Sequence, residues 1–483
     1  MVQTVRLLFR MVFPLLMKKF LLVICMQCLV AASVAGDHVL IRGLFQGAEG
    51  EEILLMRYAD HLSLREKELA SATIDEKGSF VMEFQAEAPE LLFFRFHHTR
   101  NFFYVEPGNS YTVEFEPFSF SDKTEGTDYH PLRLDHSMSI HSEDQAGRGL
   151  NDLIRELEDL TEEFIRTRIA GNIRANHQPA MRDLHSQADS LFRDAGHPFF
   201  AGYKEYYLAR LGRTLNTRRF QPLVEDFFAD RPVLYDNPVY MDFFRQLFGN
   251  YVFTGSRKVR ISELEEAVNI HGSYEAFMAA LENDSLLINK RFRELVMLEA
   301  LKKMFGMEDF EETGVIRILK KVAASGAFPE HRQIAENLLY LHQRFLPGQP
   351  APDLSLKNHR GMKKFPEDFS GRYVYLFFWA GWCNLSMAEL GPMEELAEEL
   401  GEKIHFAGVL TDHDPATAAH LLENEALAAS YYHFDGDYRI FSGYGFRNIP
   451  YYVLIDPEGN FVKHQFVSPS AGAGEYLHGV ADQ

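Results

Sequence analysis

The sequence predicts a multidomain α+β chain: an N-terminal β-sandwich, a central all-α domain and a C-terminal α/β domain. Three observations carry that prediction. Short apolar runs separated by turn residues fill positions 38 to about 118. Apolar residues at helical spacing fill about 148 to 345. A proline-rich break at 346–352 then gives way to alternating strands and helices. The length of 483 residues suits about three domains at ~150 residues each.

Composition narrows the classes of function. Hydrophobic residues make up 46% and charged residues 24%, with 13% aromatic, so sizeable cores are available and disorder is excluded as the main theme. Sixty-nine acids against 49 bases give a formal charge of -20. That argues against a grip on nucleic acid or anionic lipid, both of which want a basic face. Three cysteines are too few for a disulfide scaffold or a cysteine-rich zinc protein.

The first 35 residues hold Arg6, Arg10, Lys18 and Lys19 and no acid. An apolar run from Phe20 to Val30 follows, then the small residues Ala31 to Gly36, with Ser33 and Ala35 at −3 and −1 of a cut site. Together these read as a secretory signal over 1–35, with Met17 the more natural start. The apolar run is short for a membrane span of ~20 residues, and no later stretch reaches that length. Ile24 and Gln27 precede Cys25 and Cys28 where a lipobox would place small residues, which argues against lipidation. Cleavage would leave 448 residues, and losing four of the 49 bases against 69 acids would make the charge −24. It would also leave one cysteine, Cys383. The expected location is the periplasm or cell envelope.

Residues 37–118 form the expected β domain. Val39-Leu40-Ile41, Ile53 to Met56, Phe80 to Phe84, Leu91 to Phe96 and Tyr111 to Phe115 are its strands. Turn signals such as Asp75-Glu76-Lys77-Gly78 and Glu106-Pro107-Gly108-Asn109 separate them. His97-His98 suggests a metal, but adjacent strand residues face opposite sides, so the two are read as pointing apart. The order of turns resembles the β domain that precedes thioredoxin modules in Gram-negative envelope proteins.

Residues 119–345 are expected to be helical. Leu153, Leu157, Leu160 and Phe164 make one apolar stripe. Further helices are expected over roughly 179–194, 198–214, 218–229, 239–252, 262–281, 289–305, 314–324 and 330–345. No repeat period and no defensible chemistry stand out there.

Residues 346–483 make the α/β domain. Leu346-Pro347-Gly348-Gln349-Pro350-Ala351-Pro352 ends the helices. Val374 to Trp379 reads as a central strand buried on both faces. A helix follows on Leu390, Met393, Leu396 and Leu400. Ile404 to Leu410, Tyr451 to Ile455 and Phe461 to Phe466 are further strands, and Asp456 to Asn460 is a turn suited to an antiparallel hairpin.

Cys383 lies where the strand gives way to that helix. A helix N-terminus presents unpaired N–H groups and the positive end of the dipole, and both favour thiolate. Phe378-Trp379-Ala380-Gly381-Trp382-Cys383 resembles the start of the thioredoxin active site. Ala351 to Leu356 resembles the opening strand of TlpA-type thiol–disulfide oxidoreductases and of peroxiredoxins. Glu389, Met393 and Leu396 match the acid and apolar positions of that family's first active-site helix. Pro392 supplies a helix kink one position later than the family would place it, and Ile449-Pro450 matches the cis-proline loop that receives a substrate strand. The resemblance implies a thioredoxin-like fold for 346–483 and a site built from Cys383, Trp382, Ser386, Ile449 and Pro450. The expected partners are protein or small-molecule thiols and disulfides, with an envelope protein among them and no nucleic acid. It implies no cofactor and no metal.

The chain departs from the family at two further places. The motif Cys-x-x-Cys reads Cys383-Asn384-Leu385-Ser386, so no second thiol can resolve a mixed disulfide. Phe377 stands where thioredoxin has a buried aspartate. The peroxiredoxin motif Pro-x-x-x-Thr/Ser-x-x-Cys needs a hydroxyl three residues before the cysteine, where this chain has Ala380, and a proline four residues before that, where it has Leu376, so peroxidase is rejected as the main activity. Asp412-His413-Asp414 is read as a hydrated loop rather than a metal site, and Asp435-Gly436-Asp437 as a turn. Two functions remain open. One is an exported oxidoreductase acting through one thiol. The other is a redox-inactive thioredoxin-fold binding or scaffold protein of the envelope.

Overall fold

The computed structural model describes residues 37–97, 99–117, 137–143, 148–170, 176–358, 360–412, 415–424, 426–446 and 448–482. The leader read over 1–35, with Cys25 and Cys28, lies outside the described residues, as do His98, His413 and Asp414. The chain divides into two compact units. One comprises Met1–Val259 with Leu281–Val296, the other Arg260–Ala280 with Met297–Gln483.

The first unit opens with β1 (Asp37–Leu44), β2 (Glu52–Tyr58), β3 (Glu66–Thr73), β4 (Ser79–Ala86), β5 (Glu90–Phe96), β6 (Thr99–Val105), β7 (Ser110–Phe115) and β8 (Met138–Ser142). They form two four-stranded sheets, ordered β4-β1-β7-β8 and β3-β2-β5-β6. Strand alternation explains their common core. Phe80, Met82 and Phe84 of β4 and Tyr111, Val113 and Phe115 of β7 all turn inward. They join Ile53 and Leu55 of β2 and Leu92, Phe94 and Phe96 of β5 in one cluster. The strand β8 falls in the stretch read from sequence as helical, and it pairs antiparallel with β7.

His97 corrects one expectation. It sits in the turn between β5 and β6 at φ 51°, so strand alternation does not apply to it. Its Nε2 lies 3.3 Å from Glu51 Oε2. Among the described residues no group of three or more His, Cys, Asp or Glu side chains is placed to hold a metal ion.

Helices follow at Leu150–Phe164, Gln178–Leu191, Pro198–Thr214 and Pro238–Phe248. Leu153, Leu157 and Phe164 of the first are buried, as the stripe requires. Asn151 fastens that helix to β6 by accepting from the Tyr104 amide and donating to its carbonyl, both at 2.8 Å. Phe228, Phe244, Phe248 and Phe292 pack as an aromatic cluster with ring centroids 5.0–6.4 Å apart.

The stretch read as one helix over 262–281 is broken: Ile261–Glu265 runs on into Glu266–His271 and stops there. Gly272 adopts φ 52°, a left-handed conformation that ends this run, and Tyr274–Glu282 begins afresh. In the second unit, after the helices Glu312–Ser325 and Pro329–Gln343, comes a seven-stranded sheet. Its strands are β9 (Leu354–Asn358), β10 (Gly361–Phe365), β11 (Tyr373–Trp379), β12 (Ile404–Leu410), β13 (Ser430–His433), β14 (Tyr451–Ile455) and β15 (Phe461–Lys463), ordered β10-β9-β13-β12-β11-β14-β15. β11, β12 and β13 run parallel, and β14 lies antiparallel to β11. β11 is buried on both faces: Val374, Leu376 and Phe378 enter one core, Tyr375, Phe377 and Trp379 the other. The proline-rich segment is fastened along β15 through Gly348 N to Phe461 O, Phe461 N to Gln349 O, and Ala351 N to Gly459 O. The Asp456–Asn460 turn forms as expected, with Asp456 Oδ1 accepting from the Glu458 and Asn460 amides.

No helix among the described residues is long and apolar enough to cross a membrane.

His405 makes this unit sensitive to acid. Burial first, and then the Arg372 charge, push its pKa from 6.5 to about 4. Its Nδ1 lies 3.3 Å from Arg372 Nη2, where neutral imidazole accepts and imidazolium cannot. The unfolded chain therefore takes the proton first as pH falls. The stabilisation is complete above pH 6.5 and is lost progressively toward pH 4, on the order of 3 kcal/mol. Urea unfolding at pH 7 and pH 4.5 should show a smaller loss for His405→Gln than for the parent chain. Equal losses would refute the assignment.

Candidate functional site

The site is built at the C-terminal end of β11. The apolar strand ends at Trp379, and the turn Ala380–Cys383 closes through Cys383 N to Ala380 O at 3.1 Å. Cys383 has extended backbone (φ −90°, ψ 106°) and is the residue before the short helix Asn384–Ala388. That helix stops at Glu389, and Leu390–Leu400 starts a new one. Pro392 explains the break. A continuous helix would need its missing N–H to bond Ala388 O, and its ring would strike that carbonyl.

The cysteine is half-buried and is the free cysteine among the described residues. Its Sγ lies 3.7 Å from Ile449 O, placed to donate to it. The Ile449–Pro450 peptide is cis, and the contact of Cys383 with Ile449 brings the turn and the loop before β14 together at the sulfur. Trp382 is 37% exposed beside it, and Leu385 and Met387 are 71% and 38% exposed on the first helical turn. The sulfur thus opens onto an apolar surface.

Ser386 is fully buried, and its hydroxyl has no hydrogen-bond partner among the described residues. It does not bond the Cys383 sulfur, which is engaged with Ile449. Phe377 lies beneath the site, stacked at 5.1 Å and 2° on Tyr452. The Tyr452 hydroxyl is also buried without a partner there. Burial pushes its pKa up, with further contributions from Glu389 and Cys383. Glu389 is committed elsewhere: its carboxylate accepts from Ser470 N at 3.1 Å and from Ser470 Oγ.

Asp412 is the residue that sequence reasoning missed. It is 7% exposed rather than part of a hydrated loop, and its Oδ2 accepts from Gly381 N at 2.8 Å. No local pattern signals this. The bond exists because β12 runs parallel beside β11 and ends level with the active turn.

Residues 347–464 match the model of the AhpC/TSA family. The chain is 42% identical over 62 residues to Thioredoxin-like protein YneN of Bacillus subtilis (strain 168), which is 13% of this chain and 36% of that protein. It therefore spans about a third of the length of that curated relative. Among solved structures, a thioredoxin-like protein from Bacteroides caccae aligns at 14% identity and TM-score 0.31, covering 49% of this chain and 92% of that one. The thioredoxin domain of a thiol-disulfide oxidoreductase from Bacteroides vulgatus aligns at 19% identity and TM-score 0.26, covering 28% and 98%. The C-terminal part of the chain is a thioredoxin-like domain of the AhpC/TSA kind.

Proposed function

We propose that this chain is an exported thiol–disulfide oxidoreductase of TlpA type that works through one thiol, Cys383. Its β-sandwich (37–118) and helical domain (119–345) would precede the thioredoxin-like domain (346–483), and 1–35 would direct export to the periplasm or envelope. The observation that carries this reading is the meeting of the Cys383 sulfur with the carbonyl before Pro450, at the rim of an exposed apolar surface.

The chemistry needs one thiolate. The Cys383 sulfur attacks a disulfide RS–SR′, forming Cys383–S–SR and expelling R′S⁻. An external thiolate R″S⁻ then attacks the R sulfur, releasing RS–SR″ and restoring the Cys383 thiolate. Trp382, Ile449 and Pro450 would frame the incoming disulfide. Peroxide reduction lacks support: Ala380 stands where a hydroxyl would be needed and Leu376 where the motif has its proline, and both are fully buried.

A thiol of ordinary acidity is only a few per cent ionised at pH 7, so activation has roughly 30-fold headroom. With Cys25→Ser and Cys28→Ser in the full chain, only Cys383 reports. Iodoacetamide should label it several-fold faster in the native protein than in urea at pH 7. Labelling only on unfolding would favour the second reading, a thioredoxin-fold binding or scaffold protein. The serine at 386 and the phenylalanine at 377 are the observations on that side.

A further inference from the structure

We infer that Asp412 is a positioning residue for the Cys383 turn, acting through its hydrogen bond to the Gly381 amide. The inference rests on the reading of Cys383 as the reactive thiol.

The five-residue helix after Cys383 is too short to hold the turn by itself, so something outside it must fix the sulfur. Two external contacts do so. Ile449 O receives the sulfur, and Asp412 Oδ2 receives Gly381 N at 2.8 Å, two residues before it. A carboxylate acceptor makes the second a charge-assisted bond.

The aim of Asp412 is itself set by the sheet. On one side, Thr411 N and Oγ1 both donate to Trp379 O at 2.9 Å, locking the end of β12 to the end of β11. On the other, His433 of β13 lies with Nε2 2.8 Å from Asp412 O, while its Nδ1 accepts from Asp435 N at 3.2 Å. Since Nδ1 accepts, Nε2 must carry the proton and donate, so His433 is the neutral tautomer with both nitrogens in use. Burial keeps it neutral by lowering its pKa. Three adjacent parallel strands thus deliver one carboxylate to one amide of the turn. Asp412 need not touch a substrate to matter. In-line attack on a disulfide demands a sulfur aligned against the 449–450 loop, and alignment is what the anchor controls.

The test uses the full chain with Cys25→Ser and Cys28→Ser, and oxidised glutathione as the disulfide probe. Asp412→Ala should lower the rate of mixed-disulfide formation about tenfold or more, since sub-ångström to 1 Å misplacement is costly for aligned reactions. Hydrogen exchange at the Gly381 amide should accelerate in parallel. Asp412→Asn keeps an acceptor oxygen and should recover both. Two results would overturn the inference. One is a lower melting temperature in Asp412→Ala with unchanged glutathione rate and unchanged Gly381 exchange, a purely structural role. The other is an asparagine variant as deficient as alanine, which would assign the effect to charge. If the parent Cys383 shows no reaction with oxidised glutathione, the redox reading fails instead, and Gly381 exchange alone decides whether Asp412 positions the turn.

Discussion

On the one-thiol reading of Cys383, Ser386→Cys is expected to convert a site that would hold its mixed disulfides into one that discharges them unaided. Ser386 is fully buried, its hydroxyl without a partner among the described residues, three residues after Cys383 at the start of a helix. That spacing puts the two α-carbons roughly 5–6 Å apart, inside the range a disulfide spans. In the Cys25→Ser, Cys28→Ser background, Ellman's reagent should react once with the parent chain. One equivalent of thionitrobenzoate leaves and the other stays bound to Cys383. In the variant the introduced thiolate attacks the Cys383 sulfur and expels the bound group, so two equivalents leave and an intrachain disulfide remains. Because that attack is intramolecular, release should be faster by a factor of about 100 or more and independent of added thiol. One equivalent from both proteins would show that Cys383 and residue 386 do not face each other as a reacting pair.

The C-terminal domain was the most legible part of the sequence because its signals are local. Val374 to Trp379 is a continuous apolar run, and such a run buried on both faces is what β11 became. Ile449-Pro450 and Asp456 to Asn460 carry their turn chemistry in adjacent residues, and both lie where that chemistry leads. The strands that escaped notice lie at sheet edges or are very short, β6 among them although most of its side chains are buried. β3, β8 and β10 are at sheet edges, and β3 and β10 have mostly exposed or half-exposed side chains, so neither alternates clearly. β13 has only four residues and takes its definition from β12 and β9 on either side. Asp412 was illegible for a different reason. Its partner lies 31 positions away in the chain, and only parallel pairing of β11 with β12 brings the two together.

Trp379→Ala should produce the largest loss of stability, about 3–5 kcal/mol. Trp379 is among the largest fully buried side chains, with ring centroids 6.3 Å from Phe377 and 6.1 Å from Tyr431. The hole its removal leaves cannot be closed from β12. Gly408 lies against the indole, and a Cβ there would stand 3.3 Å from Trp379 Nε1 but 2.5 Å from Tyr431 Cδ1, so Tyr431 already claims that space. Poor collapse places the cost toward the upper end. Trp379→Phe tests the opposing contribution. The indole N–H is buried without a partner among the described residues, so a phenyl ring gives up volume but also removes an unmet donor. Its loss should be about 1–2 kcal/mol, the smaller cavity being partly offset. Urea unfolding followed by far-ultraviolet circular dichroism suits both variants, since one of only two tryptophans is gone. A loss near 1 kcal/mol for alanine would mean that Tyr431 and Phe377 close over the gap. The end of β11, and with it the platform from which the Cys383 turn departs, would then be far less rigid than its packing implies.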